Sequence, residues 1–312
     1  MVAPTMKINH VEIDDTFAEG FKLYGSRILI TADTKELAHI AALCATGFAT
    51  STIHCDCEAG IDMYYDPERT PDRRPGVSVI FCVHGKENAD AVLLNRIGQC
   101  ILTSATTACF DWLPEDSISE KTFEVKTGFK LKFFGDGFEE KEEIEWNGKS
   151  IPLWKIPVMD GYFRVQSTFK VTKIAAGGNF MVFSNSPTEI ISACQSAAIK
   201  MNEIDGVVLP FPGGYVRSPS KIGSKYKFLT ASTNQTLLPV LRNNIPDSSA
   251  PEQAIVGYEF VINGFSEDRV RKAMKIGIQE LCNHANVLKI TAGNYGGKLG
   301  KLKFDLKEIL SL

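Results

Sequence analysis

Four stretches of this sequence share one pattern: a short apolar strand, a helix with an apolar stripe, and a second strand. The first runs from RILIT (27–31) into a helix opening at Thr34, with Leu37, Ile40, Ala41 and Cys44 on one face. Gly47 stops it, and ATSTIH (49–54) supplies the second strand. The next unit has VSVIFCV (77–83), a helix from about Lys86 to Ile97, and QCILT (99–103). The third joins NFMVF (179–183) to a helix with Ser186 as cap, Pro187 in its first turn and Glu189 completing a capping box. Its stripe is Ile190, Ile191, Cys194, Ala197, Ala198 and Met201, and GVVLP (206–210) follows. The last joins YEFVIN (258–263) to a helix capped by Ser266, with Glu267 and Asp268 at its positive end. Val270, Ala273, Met274, Gly277, Ile278 and Leu281 form its buried face, and VLKIT (287–291) closes the unit. Two such units per half predict an α+β fold of two ferredoxin-like (split β-α-β) lobes, each an antiparallel sheet with helices on one face. The boundary falls near Pro157, giving lobes at 1–157 and 158–312. Before it, the acidic run EEKEEIE (139–145) reads as a solvated strand or hairpin face, and Asn147–Lys149 as a tight turn.

A formal net charge of -3 gives no push towards nucleic acid or anionic membranes. No apolar run approaches the roughly 18 residues of a membrane span. The start MVAPTMKINH shows no export signal, so the eight cysteines read as reduced thiols of a cytoplasmic protein. Met6 offers a second start, which makes the first five residues an extension. Cys44 and Cys194 fall in helical patterns, and Cys82 and Cys100 in strand-like runs, where they act as small core hydrophobes. The HCDC segment (54–57) is the one cluster with metal-ligand residues. Its Cys-x-Cys pair has no second pair, so a buried thiol beside a loop thiol is favoured and no metal is expected.

Glycine-rich segments occur at AAGGNF (175–180), PFPGGYVRSPSKIGSK (210–225) and TAGNYGGKLGK (291–301). None has the spacing of a phosphate loop or a dinucleotide fingerprint. Turn chemistry explains them as well as ligand binding does. In the 210–225 segment, Arg217, Lys221 and Lys225 alternate with Ser218, Ser220 and Ser224, a composition that suits an anionic tail. The five histidines are scattered, and no G-x-S-x-G elbow is present. One oddity remains. In VGYEFVINGF (256–265), Val256, Tyr258, Phe260 and Ile262 alternate along one side of a strand, and Glu259 points the other way. Alternation alone puts that carboxylate in water.

Many ordered segments resemble the formylmethanofuran:tetrahydromethanopterin formyltransferase family. They include EIDDTFAEGF (12–21), ATGFATSTIHCDCEAGID (45–62), TPDRRPGV (70–77), RIGQCILT (96–103) and LKFFGDGF (131–138). IPVMDG (156–161), AGGNF (176–180), PFPGGYVRSPSKIGSKYKFLTASTN (210–234), YEFVING (258–264) and KITAGNYGGKLGK (289–301) complete the series. The resemblance runs from about Met6 to the C-terminus. It implies two ferredoxin-like lobes and formyl transfer between methanofuran and tetrahydromethanopterin, or its dephospho form. Both are co-substrates, and no prosthetic group is implied. It also implies a homotetramer built as a dimer of dimers, with hydrolase subunits as partners in methylotrophic bacteria. VRSPSKIGSKYK looks closer to those bacterial members.

The family's key acid stands in its YE-x-VING motif, the place of Glu259 here. The resemblance therefore implies a largely buried, protonated Glu259 that stabilises an oxyanion. Lys221, Ser224 and Lys225 become candidates for binding anionic coenzyme tails. Asn179 and Asn294, beside close glycines, become candidates for orienting polar edges. The alternative is a non-catalytic docking or scaffold subunit that holds a coenzyme tail. Three departures from the family pattern stand out: Arg73 in place of a turn glycine, Cys57 in place of an alanine, and QTLLP (235–239) in place of an acidic and aromatic run. The last bears on the pterin side of the site.

Overall fold

The computed structural model describes residues 5–311. The expected extension before Met6 lies outside them except for Thr5. The chain forms two compact units: the segment up to Lys22 with the segment from Ala175 onward, and Leu23–Ile174. The lobe boundary expected near Pro157 lies inside the second of these. There, residues after Pro157 turn back and pair with earlier strands.

In the Leu23–Ile174 unit, the latter part of β3 (Phe17–Thr31) is followed by α1 (Lys35–Thr46), β4 (Glu58–Tyr65), β5 (Gly76–Val83), α2 (Ala89–Arg96) and β6 (Ala108–Asp111). The sheet order is β4-β5-β3-β6, all antiparallel. This is the split β-α-β arrangement, with the first strand between the third and the fourth. β7 (Phe123–Val125) pairs with the start of β11 (Phe169–Ser184). The acidic run forms β8 (Glu140–Trp146), which pairs with β9 (Lys149–Val158). β10 (Gly161–Gln166) then joins β9 to β6, running parallel to β6. Asn147 and Gly148 both have positive φ, as a two-residue hairpin turn requires. Lys155 pairs with Glu140, and Arg164 with Glu142, so the acidic face is solvated and partly neutralised.

The other unit repeats the order. After β1 (Thr5–Ile8) and β2 (Val11–Asp14), it resumes in β11, followed by α3 (Glu189–Asn202), β12 (Val207–Val208), β15 (Val256–Gly264), α4 (Glu267–Leu281) and β16 (Val287–Thr291). The sheet runs β12-β15-β11-β16, again antiparallel, then β2 parallel to β16 and β1 antiparallel to β2. Between β12 and β15 lies a small hairpin, β13 (Ser220–Ile222) with β14 (Ala231–Thr233). Near the C-terminus, β17 (Leu302–Asp305) pairs with the start of β3. Among the described residues, no helix is long and apolar enough to cross a membrane.

The caps hold locally. Thr34 Oγ1 accepts from Leu37 N, and Ser266 Oγ from Arg269 N. Ser186 Oγ accepts from Glu189 N, but Ser186 N donates to Ser184 Oγ, so the Glu189 half of the expected capping box is missing. All six residues expected on the buried face of α4 are buried. On α3, Ile191 is exposed and Ala193 takes its place in the core.

Three readings of the first half are corrected. α1 buries Ala38, Ala41, Ala42 and Ala45, while Ile40 is 58% exposed and Cys44 is also exposed. Small side chains let this helix approach the sheet closely, and the larger ones turn outwards. ATSTIH is not a strand: His54 N and Cys55 N both donate to Ser51 O, and the chain folds into turns before β4. The turn at Ser51, whose Oγ also accepts from Ile53 N, outweighs the β-propensity of the run here. QCILT is not a strand either. Leu102 N reaches back to Ile97 O, extending α2 by a π-helical turn, and the strand comes later as β6. A short apolar run fits either state. Cys57 is buried, and burial pushes its thiol up to about 12; Cys55 is half-buried, and Asp56 pairs with Arg96.

Glycine in AAGGNF serves a bulge in β11 between Ala175 and Gly178. A Cβ on Gly178 would sit 2.3 Å from Val270 Cγ1 of α4. Gly178→Ala is therefore expected to cost about 1–3 kcal/mol through overpacking. Val270→Ala in the same chain should recover part of that loss, as read by urea unfolding of the single and double variants.

Candidate active site

Glu259 sits in the middle of β15, and its backbone is held from both sides. On one side it pairs with Met181 of β11. On the other, Val216 N donates to Glu259 O at 2.8 Å, and Glu259 N to Val216 O at 2.9 Å. The neighbours of Glu259 face the helices: Phe260 stacks on Phe180 with centroids 4.9 Å apart, and Tyr258 meets Tyr215 edge-on. The carboxyl points away from that core, as alternation requires, but this second face is covered. Met181 and Phe183 of β11 form a small apolar cluster there with Ala254, Leu237 and Leu288. Glu259 lines a small cavity of about 30 Å³ together with Met181, Phe183, Arg217, Pro219 and the Leu237–Pro239 segment. The carboxyl is half-buried, and burial pushes its pKa up to about 7. Desolvation disfavours the charged form and is the cause of the rise. At neutral pH a large fraction of this carboxyl is protonated and can donate a hydrogen bond.

The QTLLP departure thus lies at the cavity wall. Arg73 adopts φ 57°, a left-handed conformation that glycine reaches without strain, in keeping with the expectation of a turn there.

The 291–301 segment is organised by a residue that pattern reading passed over. Glu19, in β3, is 0% exposed. Its Oε1 accepts from Tyr295 N at 2.6 Å and Gly297 N at 2.5 Å, and its Oε2 from Leu299 N at 2.8 Å and Gly300 N at 2.6 Å. Burial works to raise its pKa, but the four backbone donors outweigh it and hold the carboxyl below the usual range. Asn179 is 6% exposed and clamps the start of the same loop: its Oδ1 accepts from Gly293 N at 2.7 Å and its Nδ2 donates to Gly177 O. Asn263 Oδ1 accepts from Gly177 N, tying the β11 bulge to β15. Asn294 is exposed, donates to Thr16 Oγ1 and accepts from Gly296 N. Burial first, and then the nearby Glu259 charge, raises the phenol pKa of Tyr295.

Of the other predicted residues, Lys221 in β13 is half-buried and donates to Gln235 Oε1, next to the cavity wall. Ser224 Oγ accepts from Tyr226 N at the tip of the hairpin, where Lys225 is exposed. Neither lines the Glu259 cavity. The structure therefore gathers Asn179 and Asn294 around one loop, with Glu19 and Tyr295 added, and leaves Ser224 and Lys225 apart. An aromatic among glycines, as in GNYGG, was a usable signal for Tyr295. A lone glutamate in FAEGF gave none for Glu19.

Comparison with known proteins gives consistent matches. The family model described as formylmethanofuran-tetrahydromethanopterin formyltransferase matches residues 6–158, and that of its proximal lobe matches residues 161–309. The formylmethanofuran–tetrahydromethanopterin formyltransferase of Methanothermus fervidus is 48% identical over 305 residues, covering 97% of this chain and 100% of its own. That of Methanocaldococcus jannaschii is 47% identical, covering 97% and 99%. The solved formyltransferase from Methanosarcina barkeri superposes with a TM-score of 0.91 at 45% identity, covering 97% and 100%. A chain of the formyltransferase/hydrolase complex from Methylorubrum extorquens, solved with methylofuran, gives 0.92 at 36% identity, covering 98% and 99%. Over the whole chain, identity to the Methanosarcina barkeri structure is higher than to the Methylorubrum extorquens one, while the TM-scores are nearly equal.

A carboxyl at about 7 in the fold, against an ordinary 4.5, keeps its proton longer folded than unfolded. Its contribution to stability therefore falls as pH rises from about 4.5 through about 7, and is flat above. Glu259→Gln should remove this decline. Relative to the parent, the variant is expected to gain on the order of 2 kcal/mol between pH 5 and pH 8 in urea unfolding.

Proposed function

The chain belongs to the formylmethanofuran–tetrahydromethanopterin formyltransferase family, and from that premise we propose that it moves a formyl group between methanofuran and tetrahydromethanopterin in the cytoplasm, with Glu259 as the acid at the reacting centre. The observation that carries this reading is a carboxyl raised by burial beside a mostly apolar cavity that Arg217 also lines. In the transfer towards the pterin, its secondary amine attacks the formyl carbon. The carbonyl electrons move to oxygen, and a tetrahedral oxyanion forms. A neutral carboxyl can donate a hydrogen bond to that oxygen, whereas a carboxylate would repel it. As the intermediate collapses, the attacking nitrogen loses its proton and the departing methanofuran amine gains one. The formyl carbon keeps its oxidation state, so the step as written needs no electron carrier, and both coenzymes act as co-substrates.

Glu259 supplies the donor, and its surroundings keep that donor protonated. Lys221 is proposed to hold an anionic coenzyme tail beside the cavity wall, where it bonds Gln235, and Ser224 and Lys225 to extend that grip from the tip of the same hairpin. Asn179 and Asn294 are proposed to act through the 293–300 loop, since their amides are engaged with it or its neighbours. Exposed Ile40, Leu43 and Phe48 on and after α1 suit burial in an assembly, whether a dimer of dimers or a complex with hydrolase subunits like that of the bacterial relative. A docking role without transfer is not favoured, because the relatives that span nearly the whole chain are enzymes.

The purified chain, given formyl-methanofuran and tetrahydromethanopterin, is expected to catalyse transfer without other subunits. Glu259→Ala should lower kcat on the order of 10²–10³-fold. Glu259→Gln keeps a donor that cannot ionise, so its loss should be smaller and its rate should not decline as pH rises through about 7. Near-normal turnover in the alanine variant would overturn the acid role. Binding without transfer by the parent chain would favour docking.

A further inference from the structure

We propose that the cavity beside Glu259 is the acyl pocket of the reaction, and that Met181, Phe183 and Leu237 set its size so that it admits a one-carbon formyl group and excludes acetyl and longer acyl groups. This rests on Glu259 marking the reacting centre. A hydrogen bond from its carboxyl to the developing oxyanion puts the acyl carbon and oxygen in the space which that carboxyl lines. The space is about 30 Å³. A group the size of a water molecule needs about 10–15 Å³, so two need about 20–30 Å³ and three about 30–45 Å³. The carbon and oxygen of a formyl group are two such groups. The methyl of an acetyl group is a third.

A size limit holds only if the walls cannot give. On the sheet side they are fixed. β11 is paired on both edges, Met181 with Glu259 and Thr291, and Phe183 with Gly257 and Lys289. Both side chains are buried. The Phe183 ring reaches over Gly257, where a Cβ would lie 2.9 Å from its Cδ1, so the ring takes the room beside Glu259 that a side chain at 257 would fill. The cover is tied down as well. Asn234 N donates to Pro219 O at 2.8 Å, and Lys221 donates to Gln235 Oε1, which joins the two lining segments at Pro219 and Leu237–Pro239. Ser249 N donates to Thr236 O at 2.8 Å and holds the same turn from its other side. Leu237 packs on the cluster of Met181, Phe183 and Ala254, so it closes the cavity against the sheet. It belongs to a turn and not to the sheet, and trimming it widens the cavity without breaking a strand. Arg217 lines the cavity and is itself exposed, which marks the side open to solvent, where the remainder of the donor lies.

The test compares formyl-methanofuran with acetyl-methanofuran as donors to tetrahydromethanopterin. With either donor the bond from the acyl carbon to the methanofuran nitrogen breaks and one to the pterin nitrogen forms; the pterin nitrogen loses a proton and the methanofuran nitrogen gains one. The acetyl-to-formyl ratio of kcat/KM is measured for the parent, Leu237→Ala and Ile262→Val, with folding checked by circular dichroism. Comparing ratios between variants cancels the lower intrinsic reactivity of the acetyl donor. Leu237→Ala is expected to raise the ratio roughly tenfold to a hundredfold, the worth of one methyl-sized group in an apolar pocket. Ile262→Val trims the same strand on its helix-facing side and should leave the ratio within about twofold of the parent. Should Leu237→Ala fail to fold, Leu237→Val takes its place, with a rise of at least about threefold expected. No gain of acetyl transfer in the Leu237 variant, an equal gain in Ile262→Val, or a parent that transfers acetyl as readily as formyl would overturn the proposal. Glu259→Ala, measured with the formyl donor, keeps the two readings apart. Near-normal transfer there ends the acid role, while a raised ratio in Leu237→Ala still puts the acyl group in this cavity. A large loss there with an unmoved ratio leaves the acid and removes the size limit.

Discussion

Taking a carboxyl group out of water is the constraint around which the β11–β15 unit is organised, and the unit does it twice with opposite results. Glu259 is half-buried against Met181, Phe183 and a leucine-rich wall, and its pKa rises to about 7. Glu19 is fully buried, yet its pKa falls, because four backbone N–H groups converge on it. The same desolvation acts on both. Oriented dipoles decide which wins: where they are supplied the carboxylate is a structural anion, and where they are withheld the acid keeps its proton and its capacity to donate. The unit thereby holds one carboxylate fixed by backbone donors and one carboxyl raised by burial.

The sheet makes this possible by its order rather than its size. In each unit the first strand of the split β-α-β is central, and helices cover one face. In the β11–β15 unit the opposite face is left to loops. Alternation sends Phe260 and Ile262 to the helices and Glu259 to the loop-covered side. Pairing to β11 and to Val216 prevents the slip by one residue that would exchange the two faces. Both units also extend their sheet in the same way, by a parallel strand added beside the fourth: β10 beside β6, and β2 beside β16.

Legibility from sequence followed the range of the interactions. α4, with a Ser266 cap and six core residues at helical spacing, was readable in full, because cap and stripe are local signals. The four-fold pattern gave the lobes for the same reason. α1 was misread in its face because its packing surface is alanine. Close approach to a sheet is a property of two elements, and a hydrophobicity stripe on one of them does not record it. ATSTIH and QCILT have strand composition but are decided by a serine carbonyl and by continuation of a preceding helix. At the site, alternation gave the right face for Glu259 and the wrong medium, since the cover comes from residues 217–239. Glu19 was invisible: its four partners lie more than 270 positions away in sequence.

The wall at 235–239 bears directly on how Glu259 keeps its proton. Where the family resemblance leads one to expect acidic and aromatic residues, this chain has QTLLP, and Leu237, Leu238 and Pro239 meet the Glu259 cavity. An acidic wall would raise a neighbouring carboxyl by like-charge repulsion; a leucine wall raises it by excluding water. Both routes keep the donor protonated, but they differ in what they cost and what they admit. Repulsion is weakened by salt and by any cation that enters, while exclusion of water is not. An apolar wall also offers a substrate contact area in place of hydrogen-bond partners. On the reading proposed for Glu259, the acid needs no acidic wall to keep its proton, and recognition would fall to polar groups such as Arg217 at the cavity and Lys221, bonded to Gln235.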